Sequence, residues 1–478
     1  MLLISSISGQ EVQEQSRQAS KAMAEGRYRE AAVIYEKLVA LVPGNAGLQF
    51  NLGLALFSAG EYLRAEAALN KVARQQPGMQ PAWLLLGLTY QKRNLPLQAI
   101  DPLRTALRLK PADGAARFEL ADAYLNTGHL ALASREFQTL ADREPANAKA
   151  WQGLGVSYLE MAVLASKRLD RAAPDSGFRY ALLAESRARQ KRWPEAFWLY
   201  RRALALGPPI ANVHRAVARV YEETGHADWA ATEAALEAPE APADWPEALK
   251  RFEGQATPEA LYWTSRACTA LFEQALGKLQ DLPESGALQE LRAESDELQG
   301  RRAEAVAEWR AALRFSPGEA RLEGSLARAL WRNREYDEAQ PLLARMASRQ
   351  PAVAEWRYLL GDLYYRQQQA AKAAPHLEAA LQREPDQVAA HAILGRVYMQ
   401  LGQPAKAIAH LQAALATDED GSLHYQLGLA YRRTGQEQLA QTMFALQRDM
   451  QGRSAAVLET PITPPDAGMK QGPTFERQ

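Results

Sequence analysis

The sequence predicts an all-α solenoid. Three observations carry this: a 34-residue self-similarity through most of the chain, an alanine at one fixed position of every full period, and a proline that closes many of them. Counting from Val12 in steps of 34 brings Ala46, Gln80, Gly114 and Ala148 into one phase. The phase returns at Gly177 and Ala211, and again at Gly286, Ala320, Ala354, Val388 and, one residue early, Gly421. A period of this length means one supersecondary unit repeated, each burying its apolar face against the next.

Each column of the repeat has a physical reading. The eighth position is small (Ala19, Gly53, Gly87, Ala121, Gly155, Ala184, Ala218), and the twentieth is alanine in all eleven full units, from Ala31, Ala65 and Ala99 to Ala407 and Ala440. Small residues at two fixed points mark where two antiparallel helices, A and B, approach most closely, so a larger side chain there would overpack. Proline at the thirty-second position (Pro43, Pro77, Pro111, Pro145, Pro208, Pro242) ends helix B, because it cannot continue the hydrogen-bond ladder. Leu, Tyr, Trp and Phe at positions four, seven, eleven and twenty-four recur at helical spacing and are read as core.

These columns resemble the tetratricopeptide repeat pattern, W-x2-L-G-x2-Y, then Ala, an aromatic and Pro. The third unit is nearly complete in Trp83, Leu86, Gly87, Tyr90, Ala99 and Pro111. The resemblance implies a right-handed superhelix of helix-turn-helix units that holds a protein or peptide in its concave groove. Tetratricopeptide enzymes carry their catalytic machinery in a separate domain, and the repeats here occupy nearly everything from 12 to 450, leaving no room for one.

Two units depart from the rule. Residues 148–176 and 257–285 are each five residues short, lack the turn glycine and the position-twenty alanine, and end in Pro174-Asp175-Ser176 and Pro283-Glu284-Ser285. An uninterrupted helical pattern through Trp151–Ala172 and Glu259–Leu282 reads as longer or merged helices in contracted repeats. The stretch 238–256, with Pro239, Pro242 and Pro246, is the densest internal break and the expected hinge. It separates an N-terminal array, 12–237, from a C-terminal array, 257–450. Residues 451–478 have no apolar period and are expected to be disordered. Residues 1–11 read as an N-terminal segment in which Ser6-Ile7-Ser8 follows a short apolar run, as a clipped export signal would. As written the chain reads as cytoplasmic; a true start upstream of Met1 would make it exported or periplasmic.

Composition narrows the function classes. Lys+Arg and Asp+Glu balance at 56 each, so there is no global field to draw the chain to nucleic acid or an anionic membrane. No apolar run approaches the length of a spanning helix. Cys268 is the single cysteine, and the seven histidines form no HExxH pair or Cys/His cluster, so no metal, cofactor or disulfide is expected. No phosphate-cradling glycine loop or nucleophile elbow is present, and no catalytic residue is assigned. Gly153 and Gly155 form a GxG inside a helix-A pattern, which packing explains.

The expected site is a groove lined by helix A at positions five, nine and twelve, which share one face at i, i+4, i+7 spacing. In the N-terminal array these columns give Phe50, Leu54, Phe57, Leu84, Leu88, Phe118 and Asp122, mostly apolar. In the C-terminal array they give Arg328, Trp331, Tyr358, Asp362, Tyr365, Arg396 and Arg432, with Arg366 one position on. The first composition suits an apolar peptide or amphipathic helix, the second an arginine-aromatic hot spot. Phe, Leu and Asp stand where a carboxylate clamp would need Lys and Asn, so none is predicted. The function expected is a non-catalytic scaffold for a protein or peptide partner. The alternatives are an RNA-binding helical repeat using the C-terminal arginines, and an enzyme with an unrecognised site.

Overall fold

The computed structural model describes residues 9–236, 241–418, 420–458 and 462–465, and every α-helix and short 3-10 turn among them lies in an array without strands. The helices are α1 (Gly9–Ala24), α2 (Tyr28–Leu41), α3 (Ala46–Ser58), α4 (Tyr62–Gln75), α5 (Gln80–Lys92), α6 (Pro96–Leu109), α7 (Gly114–Asn126) and α8 (Leu130–Arg143). After them come α9 (Ala148–Ala172), α10 (Gly177–Arg189), α11 (Trp193–Leu206), α12 (Val213–Glu223), α13 (Ala227–Ala234), α14 (Trp245–Phe252) and α15 (Pro258–Gln280). The remainder are α16 (Gly286–Leu298), α17 (Arg302–Phe315), α18 (Ala320–Arg332), α19 (Tyr336–Arg349), α20 (Ala354–Arg366), α21 (Ala370–Leu381), α22 (Val388–Gln400), α23 (Pro404–Ala414), α24 (Ser422–Arg433) and α25 (Glu437–Leu458). The chain divides into two compact units, Met1–Val163 with Cys268–Pro283, and Leu164–Ala267 with Glu284–Gln478.

Within each unit the sequence columns become helix pairs. An Asn, Asp or Ser just before helix A caps it: Asn45 Oδ1 accepts from Leu48 N at 3.1 Å, Asp113 Oδ1 from Ala116 N at 3.0 Å, and Ser176 Oγ from Arg179 N at 3.2 Å. Helix A then turns back through a left-handed residue at the fifteenth position of all eleven full repeats. Seven of these are glycine (Gly26, Gly60, Gly128, Gly225, Gly300, Gly402, Gly435), but Asn94, Lys191, Arg334 and Gln368 adopt the same positive φ, between 57° and 67°. The turn is closed by a bond reaching five residues back, as in Glu61 N to Leu56 O at 2.9 Å. Helix B ends two residues before Pro43, Pro77, Pro111, Pro145 and Pro208, at Leu41, Gln75, Leu109, Arg143 and Leu206, but Pro242 does not end its helix B, because α13 already stops at Ala234.

The core follows the columns. All eleven position-twenty alanines are buried, none more than 4% exposed. A Cβ placed on Gly87 would lie 2.5 Å from Leu103 Cγ, and the same clash recurs between Gly361 and Leu377 and between Gly395 and Leu411. Position eight of helix A is therefore seated on position twenty-four of helix B. Gly153 fits the packing reading too, since a methyl there would stand 2.4 Å from the Phe137 ring. A helices also pack on the A helices of neighbouring repeats, α3 on α5, α5 on α7, α18 on α20, α20 on α22 and α22 on α24.

The short units 148–176 and 257–285 each contain one long helix, α9 of 25 residues and α15 of 23, in place of a helix pair. Within 238–256 an eight-residue helix forms, α14: Asp244 Oδ1 caps it by accepting from Glu247 N at 2.7 Å, and Pro246 sits in its first turn, where a missing N–H costs nothing. Residues 238–240 of that stretch, with 237 just before it, and residues 1–8 of the N-terminal segment lie outside the described residues. At the C-terminus α25 extends to Leu458, into the first part of the stretch expected to be disordered. Residues 462–465 lie against the second unit, and 459–461 and 466–478 fall outside the described residues.

Candidate functional site

The residues at positions five, nine and twelve sit on the A-helix layer. Phe50, Leu54 and Phe57 on α3 and Leu88 on α5 are half-buried, with one side packed on the buried cluster of Leu52, Leu56, Leu69 and Leu86 and the other open. Leu84 is half-buried as well. Phe118 on α7 leans edge-on against Phe137, ring centroids 5.8 Å apart. Asp122 lies one turn further along α7 and accepts from Asn126 Nδ2 at 2.8 Å. These side chains form an apolar strip across α3, α5 and α7.

In the second unit the corresponding columns are polar and tied to one another. Trp331 on α18 donates from Nε1 to Asp362 Oδ2 on α20 at 2.9 Å, and Arg366 donates from Nε to the same oxygen at 2.6 Å. The Arg366 guanidinium also stands 5.7 Å from the centre of the Trp331 ring. Asp362 is only 1% exposed. Tyr358 lies close enough to that carboxylate for its phenol, already hindered by burial, to be pushed up to about 12. Arg328 faces Glu355 at 3.3 Å and stacks over Trp356, Arg396 donates to Ser422 Oγ at 2.8 Å, and exposed Arg432 lies over the Phe444 ring.

These contacts obey one rule. Position twelve of a repeat reaches position nine of the next: Trp331 to Asp362 in the second unit, and in the first Gln91 to Asp122 at 3.4 Å. Position nine reaches position two of the next: Arg328 to Glu355, and Arg396 to Ser422. The A helices are thus laced to one another along one face, and the sequence offered a signal for it in donors and acceptors spaced 31 and 26 or 27 residues apart.

Tyr365, Arg396, Ser422 and Tyr425 also line an open cleft of about 530 Å³, completed by Asp420, Gln426, Gln447 and Gln451. Tyr365 and Arg396 were legible as site residues; Ser422, Gln447 and Gln451 were not, because they stand outside the groove columns. Tyr425 is 45% exposed. The cleft offers an aromatic surface, one guanidinium, one carboxylate and several amides, which suits hydrogen bonding to a peptide backbone.

Other chemistry was sought around the histidines and Cys268. Among the described residues no group of three or more His, Cys, Asp or Glu side chains is placed to hold a metal ion. Cys268 is fully buried, and burial pushes its thiol up to about 12, far from the reactive range. Glu119 is held above the usual carboxylate range by burial and by the neighbouring Asp122 carboxylate. No helix among the described residues is long and apolar enough to cross a membrane.

The chain is 27% identical over 179 residues to the human protein O-mannosyl-transferase TMTC1, covering 36% of this chain and 20% of that protein. It is 34% identical over 113 residues to the cellulose synthase 2 operon protein C of Komagataeibacter xylinus, covering 22% of this chain and 8% of that protein. The chain thus spans a fifth or less of the length of either relative. Among solved structures, MamA from Desulfovibrio magneticus RS-1 matches at 22% identity and a TM-score of 0.32, covering 35% of this chain and 96% of that one. The anaphase-promoting complex Cut9–Hcn1 structure matches at 14% identity and a TM-score of 0.36, covering 95% and 96%. Tetratricopeptide repeat profiles match residues 22–88, 92–158, 325–388 and 364–431, regions in which every helix pair follows the columns described above, and the chain belongs to the tetratricopeptide repeat family.

Proposed function

We propose that the chain is a non-catalytic scaffold that holds a segment of a partner protein along its A-helix face. The observation that carries this reading is the apolar strip of Phe50, Leu54, Phe57, Leu84, Leu88 and Phe118, six large side chains half-open to solvent on α3, α5 and α7. A monomeric surface rarely leaves such a run uncovered without a use for it. Apolar anchors on successive A helices suit an amphipathic helix or an extended apolar segment. The cleft around Tyr365, Arg396 and Tyr425 supplies a second, more polar contact surface in the other unit.

An RNA-binding role would draw on the C-terminal arginines, but Arg328 and Arg366 already face Glu355 and Asp362. Transfer chemistry, suggested by the name of the human relative, would need a group of reactive side chains, and none of the clusters described above has that form. Co-purification from the native host tests the scaffold reading. A partner retained by the full chain should be lost when Leu84 and Phe118 are changed to Glu with the melting temperature within a few degrees of the parent. Retention of the same partner by that variant would remove the strip from the interface.

A further inference from the structure

The chain's own C-terminal segment is seated on the second unit. Ile462 packs against the buried cluster built from α10, α11, α12, α13 and the start of α15. Tyr221 on α12 donates its hydroxyl to the Thr463 carbonyl at 2.6 Å, and the Arg201 guanidinium on α11 reaches the Pro465 carbonyl at 3.5 Å. α25 comes back onto α11, which brings the segment within reach. Beneath it, fully buried Glu233 bonds His214 Nδ1 at 2.7 Å and stands 3.5 Å from Arg201, which fixes the guanidinium. Tyr221 is 0% exposed and is steadied edge-on by Trp229.

The repeat that carries the segment is also the one with the shortest helix B. α13 has eight residues, where the B helices α4, α6, α8 and α11 have fourteen. The face presents donors, a phenol and a guanidinium, and one apolar seat. That matches a ligand which offers carbonyls without N–H groups: a proline-containing extended segment with an aliphatic residue shortly before it. Proline has no N–H to leave unpaired and holds the extended form at small entropic cost.

We propose that this face of α11 and α12 is a docking site for an extended Ile-x-Pro-Pro-type segment of a partner protein, and that residues 462–465 occupy it in cis until displaced. One apolar side chain and two hydrogen bonds make a weak contact, and a tether holds the tail at an effective concentration of roughly millimolar order. A partner segment must outcompete that. The face is distinct from the strip on α3, α5 and α7, so either assignment can fail without the other.

The test uses the full chain and a fluorescein-labelled peptide of residues 459–467, Glu-Thr-Pro-Ile-Thr-Pro-Pro-Asp-Ala, read by fluorescence anisotropy. With Ile462→Asp in the protein the labelled peptide should bind saturably and at least tenfold more tightly than to the parent chain. A second tail variant, Pro465→Gly, should bind it more tightly than the parent as well. Adding Tyr221→Phe to the Ile462→Asp chain should weaken binding severalfold, and a peptide carrying the same Ile→Asp change should not bind. Absence of saturable binding to both tail variants, or equal affinity for parent and variants, would overturn the proposal. A concentration-dependent dimer of the parent that Ile462→Asp abolishes would assign the face to a second copy's tail, and would overturn it equally.

Discussion

Gly87 on α5 lies so close to Leu103 on α6 that a methyl group added to the glycine would stand 2.5 Å from Leu103 Cγ. Leu103 is completely buried and has no room to swing aside. Gly87→Ala should therefore destabilise: overpacking costs about 1–3 kcal/mol and outweighs the gain in helix propensity of about 1 kcal/mol. Gly277, inside α15, has nothing within 4 Å of its added Cβ, so Gly277→Ala should stabilise by about 0.5–1 kcal/mol. Urea melts of the two variants should move in opposite directions.

The turn between helices A and B asks for a left-handed residue whatever the sequence supplies. Gln368 adopts it at φ 60°. A side chain in that region costs about 1–2 kcal/mol, part of which glycine returns as lost chain entropy. Gln368→Gly should raise stability by roughly 0.5–1 kcal/mol, read as a higher midpoint in urea with an unchanged slope.

Trp331, Asp362 and Arg366 act as one group. Arg366→Ala leaves the buried Asp362 carboxylate with one fewer donor and should cost about 1–3 kcal/mol, discounted because the guanidinium is about half exposed. Asp362→Ala should cost at least as much, since the Trp331 N–H loses its acceptor. The double variant should be less destabilised than the sum of the two, with a coupling of roughly 1 kcal/mol in a double-mutant cycle.

Acid should weaken the C-terminal repeats. His391 donates from Nε2 to the Pro385 carbonyl, which leaves its Nδ1 to accept from His410 Nδ1 at 2.8 Å. Burial and His391 hold His410 below the usual histidine range, against the opposing charge of Glu378, which bonds Tyr398. Below about pH 6.5 the unfolded chain therefore takes up a proton that the folded chain refuses. Stability is fully present above that pH and falls as pH drops toward the lowered value. The melting temperature should decline from pH 7 to 5, and His410→Gln should flatten the decline. Half-buried His376, also held low, should keep it from vanishing.

The helix pairs and the buried alanine column could be read from the sequence because each follows from one steric or periodic constraint repeated eleven times. What could not be read has a physical reason in each case. Asn94, Lys191, Arg334 and Gln368 take a glycine's conformation because the flanking helices impose the turn. Pro246 looked like a breaker, but in the first turn behind Asp244 it starts α14. The stitches from Trp331 to Asp362 and from Gln91 to Asp122 join residues that, along one helix, resemble a solvated polar face. Four extended residues around Thr463 have no period to betray that they dock.

The scaffold reading rests on where a partner touches the chain. Site-specific photo-crosslinking in the native host addresses this directly. A photoreactive residue at Leu84 on α5 or Phe118 on α7 should capture one reproducible partner band. The same residue at exposed Arg74 on α4 or Arg108 on α6, on the B-helix layer, should capture none of it. Equal capture from both layers, or capture only from Arg74 and Arg108, would contradict the account.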